Sequence, residues 1–194
     1  MTWNRAGFWA LHLFVLAYCG VLLGGFIVQF GGHEYPCPLC VLQRMAMILT
    51  ALGPAYIIVR AKAGPVSLRD YTTGLGMAMA GALAGAAMST RQVLLHIVPG
   101  DPGYGEAVMG LHLYTWALVT FIVVLVYCAF ALIFAKELVP AGVRFGWPSR
   151  AVLWLFTALI AANMIVVFFE EGFHWVLPDD PVRYQLCYDL GLCD

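Results

Sequence analysis

Five apolar stretches, each long enough to cross a bilayer, constrain this chain more than any other feature. They run from about Gly7 to Phe30, Leu39 to Val59, Tyr71 to Leu95, Leu111 to Phe134 and Ala151 to Phe169. A spanning helix needs roughly 20 apolar residues, and in lipid an isolated segment satisfies its backbone polar groups only as a helix. The chain is 62% hydrophobic and only 11% charged, against roughly 25% charged in a soluble domain, so it lacks the polar surface that water demands. These features predict an all-α integral membrane fold: a four-helix transmembrane bundle within residues 1–135, plus an additional fifth transmembrane helix and a cysteine-containing tail within 136–194. The first stretch is longer than the apolar region of a secretory signal and no A-x-A site follows it, so it is expected to be retained. A net charge of −1 without a basic run excludes a nucleic-acid partner and leaves the lipid bilayer as the surroundings.

Lys and Arg placement orients the bundle. Arg5, Arg60, Lys62, Arg69, Lys136, Arg144 and Arg150 fall on one side, and Arg44, Arg91 and Arg183 on the other. The expected orientation is amino terminus cytoplasmic and carboxyl terminus outside. Gly31 to Pro38, His96 to Gly110 and Glu170 to Asp194 then face the outer compartment, where disulfides persist.

The six cysteines divide accordingly. Cys19 and Cys128 lie inside apolar stretches and are expected to be inert thiols. Cys37, Cys40, Cys187 and Cys193 lie at or beyond the ends of such stretches. The segment Cys37-Pro38-Leu39-Cys40 can close a small disulfide ring. Pro38 suits the first turn of a helix, which sets Cys40 near a helix amino terminus, where an anion is favoured. Arg44 follows one turn deeper on the same face. A charge at that depth is a functional candidate, able to stabilise a Cys40 thiolate or a reduced acceptor beside it. Snorkelling to the headgroups is the competing reading of Arg44, and half a zinc site is that of the cysteines.

Cys37-Pro-Leu-Cys40-Val-Leu-Gln-Arg44 resembles the C-x-x-C-x-x-x-R signature of the DsbB family, disulfide bond formation protein B. The order of the chain is similar too. One helix precedes the motif, a basic inner loop and a glycine-rich third helix follow, and Gly110-Leu-His112-Leu leading to Trp116 resembles the start of that family's fourth helix. The resemblance covers about 135 residues. It implies a multi-pass protein of the bacterial inner membrane that reoxidises a periplasmic thioredoxin-fold dithiol oxidase, DsbA-like, and passes the electrons to ubiquinone or menaquinone, supporting disulfide formation in folding proteins. Carried over by position, Cys37 and Cys40 would form the quinone-coupled disulfide. Cys40 would contact the quinone ring with Arg44 assisting, and Cys37 would be the sulfur open to exchange.

The sequence departs from that pattern in one respect. Typical members carry a second cysteine pair between their third and fourth helices, and here Val98 to Gly110 is a short, turn-rich loop without cysteine. Cys187 and Cys193 in the tail are expected to replace that pair as the catalytic shuttle to the soluble partner, with a structural clip as the alternative. Arg91-Gln92 and His96 close the third stretch on the outer side and are candidates to hydrogen-bond a quinone carbonyl. His112 is a candidate proton carrier. Gly81-x-x-x-Gly85 permits close approach of a neighbouring helix. Other readings are a zinc- or copper-binding membrane protein using the four outer cysteines, a transporter with an incidental C-x-x-C, and a vitamin K epoxide reductase-like enzyme, whose C-x-x-C lies at a later helix.

Overall fold

In the computed structural model, which describes residues 3–140, 142–174, 176–179 and 181–192, the apolar stretches fold as long helices. These are α1 (Trp3–Gly31), α2 (Pro38–Arg60), α3 (Leu68–Leu95), α4 (Leu113–Ile133) and α6 (Trp147–Glu171); two short helices, α5 (Ala135–Leu138) and α7 (Gln185–Asp189), complete the set. Cys193 lies outside the described residues. Four of the helices, α1, α2, α4 and α6, are long and apolar enough to cross a membrane. The third stretch was expected to be long and apolar enough to span as well. It forms a helix of 28 residues, but its glycines, threonines and charged ends keep it below the other four. It packs against both α2 and α4, and its glycine face is the part those neighbours cover.

Local chemistry sets the helix starts. Cys37 caps α2 in an extended conformation, with Pro38 at the first turn. Ser67 caps α3 in a reciprocal pair with Asp70. Asp70 also accepts from Tyr56 Oη and Arg60 Nε, both at 3.1 Å, and so ties the end of α2 to the start of α3. At the next junction, Met109 and Gly110 both adopt positive φ, 55° and 81°. This is the combination that a two-residue hairpin turn needs, and it joins β1 (Ala107–Val108) to β2 (Leu111–His112) in an antiparallel pair. Strand β2 takes the first two residues of the expected fourth stretch, so α4 begins at Leu113.

The α2–α3 contact is close because glycines line it. A Cβ on Gly53 would stand 2.2 Å from the Gly74 carbonyl oxygen, and one on Gly81 would stand 2.6 Å from Thr50 N. Gly85 instead faces α4, where a Cβ would meet the Phe121 ring at 2.2 Å. The two glycines of the Gly81-x-x-x-Gly85 stripe therefore serve different neighbours. The core between the helices holds Leu11, Val15, Leu22, Ile57, Ile58, Tyr71, Leu75 and Phe121, with Cys19 and Cys128 buried among them as free thiols. Large apolar side chains such as Leu13, Ile27, Ile133 and Trp154 point outward. That is the arrangement expected of a bundle solvated by lipid. Helix α6 packs along α1, and α7 folds back onto α6. In that fold-back the Asp189 carboxylate accepts from Phe173 N at 3.2 Å and contacts His174 Nε2 at 3.1 Å.

Candidate functional site

The start of α2 brings the two motif cysteines together. Cys37 Sγ and Cys40 Sγ lie 2.6 Å apart. The Cys40 backbone N–H, one of the unpaired donors of the first turn, points at Cys37 Sγ at 3.2 Å. From α3, Gln92 Nε2 donates to Cys37 Sγ at 3.3 Å and reaches Cys40 Sγ at 3.6 Å. Gln43 Nε2 donates to Gln92 Oε1 at 2.7 Å, which fixes the Gln92 amide with its N–H groups toward the sulfurs. The Cys40 thiol, the Cys40 N–H and Gln92 outweigh the effect of burial and hold the Cys37 thiol down to about 7. The donors at the helix mouth were expected to favour an anion at Cys40, and they converge on Cys37. The reason is geometric, because an N-cap side chain accepts from the first-turn N–H groups and a side chain three residues on does not.

Cys37 is only 5% exposed, so the sulfur expected to be open to exchange is covered. Cys40 lies in the wall of a cavity of about 490 Å³ between α1, α2 and α4. Gln43 and Arg44 share that wall. Gly24, Gly25 and Gln29 face them from α1, and Tyr114, Trp116 and Thr120 from α4. The volume lies within the usual range for a small-molecule site, and the mostly apolar lining with a few convergent polar groups is typical of one. Arg44 is half-buried. Its Nη1 donates to Gln29 Oε1 at 2.7 Å, and its guanidinium stands 5.7 Å from the centre of the Phe26 ring. The loop before β1 roofs the cavity. Tyr104 Oη donates to the Tyr35 carbonyl at 2.5 Å, Glu34 Oε1 accepts from Glu106 N at 3.0 Å, and Trp116 Nε1 donates to the Val108 carbonyl at 2.9 Å.

Cys37, Cys40 and Arg44 thus come together as the sequence suggested. Arg91 is exposed and His96 half-buried, and neither lines the cavity. His96 Nδ1 lies 3.0 Å from Asp101 Oδ1. The rings of His96 and His112 stack on Tyr114, with centroids 5.6 and 5.3 Å away, so both histidines stand one ring behind the lining. Cys187 on α7 is disulfide-bonded. It lines a second cavity of about 480 Å³ with Phe30, Phe169, Tyr184 and Tyr35, and Tyr35 also lines the first. Among the described residues, no three His, Cys, Asp or Glu side chains converge on a metal position.

Sequence reasoning missed Gln29, Gln43, Glu34 and Glu170. Glu34 precedes the motif without any pattern that points to a backbone clamp. Gln29, Gln43 and Glu170 had a usable signal, since each is a polar side chain within or ending an apolar stretch, which is costly unless paired.

Fold and site together define a multi-pass membrane protein with a paired-cysteine centre beside an apolar cavity. A sequence profile of the family described as disulfide bond formation protein DsbB matches residues 7–105, and the chain belongs to this family. It is 36% identical over 99 residues to "Disulfide bond formation protein B" of Chromobacterium violaceum, covering 50% of this chain and 55% of that protein. It is 32% identical over 97 residues to "Disulfide bond formation protein B 2" of Burkholderia lata, covering 50% and 54%. It is 41% identical over 88 residues to "Disulfide bond formation protein B" of Methylococcus capsulatus, covering 43% and 50%. The chain spans about half the length of the curated relatives it matches. No solved structure matches it.

Proposed function

We propose that this chain is a thiol:quinone oxidoreductase of the bacterial inner membrane, which reoxidises a periplasmic DsbA-like dithiol protein and so supports disulfide formation. The observation that carries the reading is the position of Cys40: its sulfur touches Cys37 and also forms part of the wall of the cavity that holds Arg44. One face of the pair can therefore exchange with thiols while the other meets a small apolar acceptor.

The cavity fits a quinone head group by its volume, its apolar lining and its few polar groups. A quinone there, ubiquinone or menaquinone, would supply a two-electron, two-proton acceptor. Cys40 and Arg44, with Gln43, would hold it; Arg44 and Gln43 take the polar role that the sequence suggested for Arg91 and His96. In the first half of the cycle a partner thiolate attacks the tail disulfide that includes Cys187, forming a mixed disulfide that the partner's second thiolate resolves, and the tail dithiol then exchanges with the Cys37–Cys40 disulfide. The partner leaves oxidised, and the motif leaves as two thiols. In the second half both motif S–H bonds break and the S–S bond re-forms, releasing two electrons and two protons. Arg44 supplies a fixed positive charge where negative charge develops. The donors around Cys37 favour release of its proton in this step.

Because Cys37 is covered, we assign the exchange with the soluble partner to Cys187, carried by α7 beside Tyr35, together with Cys193. Helix α3 is taken as a further span, the amino terminus as cytoplasmic, and residues 136–194 as an addition to a core of 1–135.

The test is anaerobic mixing of the reduced protein with a short-chain ubiquinone while following quinone absorbance. One equivalent should be reduced per protein, and none by Cys40→Ser. Equal reduction by the variant would remove the proposal. Serine at both Cys187 and Cys193 should spare this half-reaction and slow oxidation of the partner.

A further inference from the structure

Behind the cavity wall lies a buried carboxylate that the cycle above does not use. Glu170, in the last turn of α6, is 2% exposed. Its Oε1 accepts a hydrogen bond from Gln29 Nε2, and its Oε2 is buried without a hydrogen-bond partner among the described residues. Gln29 is 3% exposed and its amide is saturated. One N–H faces Glu170, Nε2 also donates to Tyr184 Oη at 3.2 Å, and Oε1 accepts from Arg44 Nη1 at 2.7 Å. Arg44 and Glu170, of opposite formal charge, are thus joined through a single amide.

A buried carboxylate is costly unless paired, and this one is half-satisfied. Its placement acquires a purpose from the chemistry of the bridge. A glutamine amide can turn either its oxygen or its nitrogen toward a neighbour. Turned the wrong way, Gln29 would aim N–H groups at a guanidinium that has only donors to offer. Tyr184 cannot settle the choice, because a hydroxyl both donates and accepts. A carboxyl oxygen that carries no proton only accepts, so Glu170 Oε1 draws the Gln29 N–H to itself and leaves the amide oxygen for Arg44.

We infer that Glu170 is a positioning residue for the cavity: it fixes the Gln29 amide so that its oxygen holds the Arg44 guanidinium in the cavity wall. The helix carrying Glu170 lies beyond the residues that the family profile matches, so this support is supplied by the C-terminal part of the chain. The inference rests on the quinone reading of the cavity.

The test uses the full chain, oxidised and in detergent, so that no turnover occurs. Binding of a decyl-chain ubiquinone is titrated through quenching of Trp116, which lines the cavity. Glu170→Gln and Glu170→Leu should weaken binding, the leucine variant by roughly tenfold, which is about 1.4 kcal/mol. Gln29→Leu, which breaks the bridge from its other end, should weaken it to the same extent. In an Arg44→Ala background none of the three should add a further loss, because all act through that guanidinium. Additive losses in that background, or wild-type affinity in both Glu170→Leu and Gln29→Leu, would overturn the assignment and leave the cavity reading intact. Failure of the wild type itself to bind quinone would sink both together.

Discussion

At the scale of single residues, the reduced site is polarised by position within one turn of helix. Cys37 collects the N–H groups and its neighbour's thiol, while Cys40 faces the cavity. With the Cys37 thiol held down to about 7, the ultraviolet thiolate absorbance of the reduced protein that a Cys37→Ser variant lacks should rise to half its maximum near that pH. Gln92→Leu removes one donor and should move the midpoint toward the ordinary thiol range. The sign carries into stability. Between about 7 and the ordinary thiol value the folded thiol has released a proton that the unfolded one still binds, so the reduced protein should become more stable as pH rises through that window. The contribution is fully present above the unfolded value and lost as pH falls through the folded one. A reduced-state melting temperature that stays flat from pH 7 to 9 would contradict this.

At the scale of elements, the α2–α3 contact depends on missing side chains. Gly53→Ala would set a methyl 2.2 Å from the Gly74 carbonyl oxygen, where the obstacle is backbone and cannot rotate away. It should destabilise the bundle by about 1–3 kcal/mol, measured by thermal unfolding in detergent. Gly76→Ala on the same α3 meets nothing within 4 Å and should stabilise by about 0.5–1 kcal/mol, because alanine favours the helix. The opposite signs separate packing from helix propensity. The tail has its own anchor in Asp189, whose carboxyl is held below the usual range first by the Phe173 N–H and then by His174. That anchor is present above the unfolded carboxyl value and is lost as pH falls through the folded one. Asp189→Asn should therefore speed proteolysis near α7 at neutral pH and leave the rest of the bundle protected.

At the scale of the whole molecule, the lopsided distribution of Lys and Arg predicts a testable orientation. With native cysteines other than Cys19 and Cys128 replaced, a cysteine at Gly64 should react with a membrane-impermeant maleimide only after the inner membrane is opened. One at Gly100 should react in intact spheroplasts. The reverse pattern would invert the topology and put the Cys37–Cys40 pair in a reducing compartment.

The sequence by itself determined the long helices, the position of the motif at a helix start and the place of Arg44 one turn after Cys40 on the same helix. Each of these follows from local periodicity, capping chemistry and the fixed rise of a helix, which neighbours do not alter. It missed the hairpin over Ala107–His112, whose second strand takes Leu111 and His112 from an apolar run, since a two-residue turn of positive φ outweighs that run. Only the tertiary structure decided which cysteine receives the helix-mouth donors, that Gln92 and Gln43 reach across from different helices to fix them, and that Gln29 and Glu170 stand behind Arg44. Those contacts join residues up to 141 positions apart, and no local pattern encodes which buried polar groups will meet when helices pack.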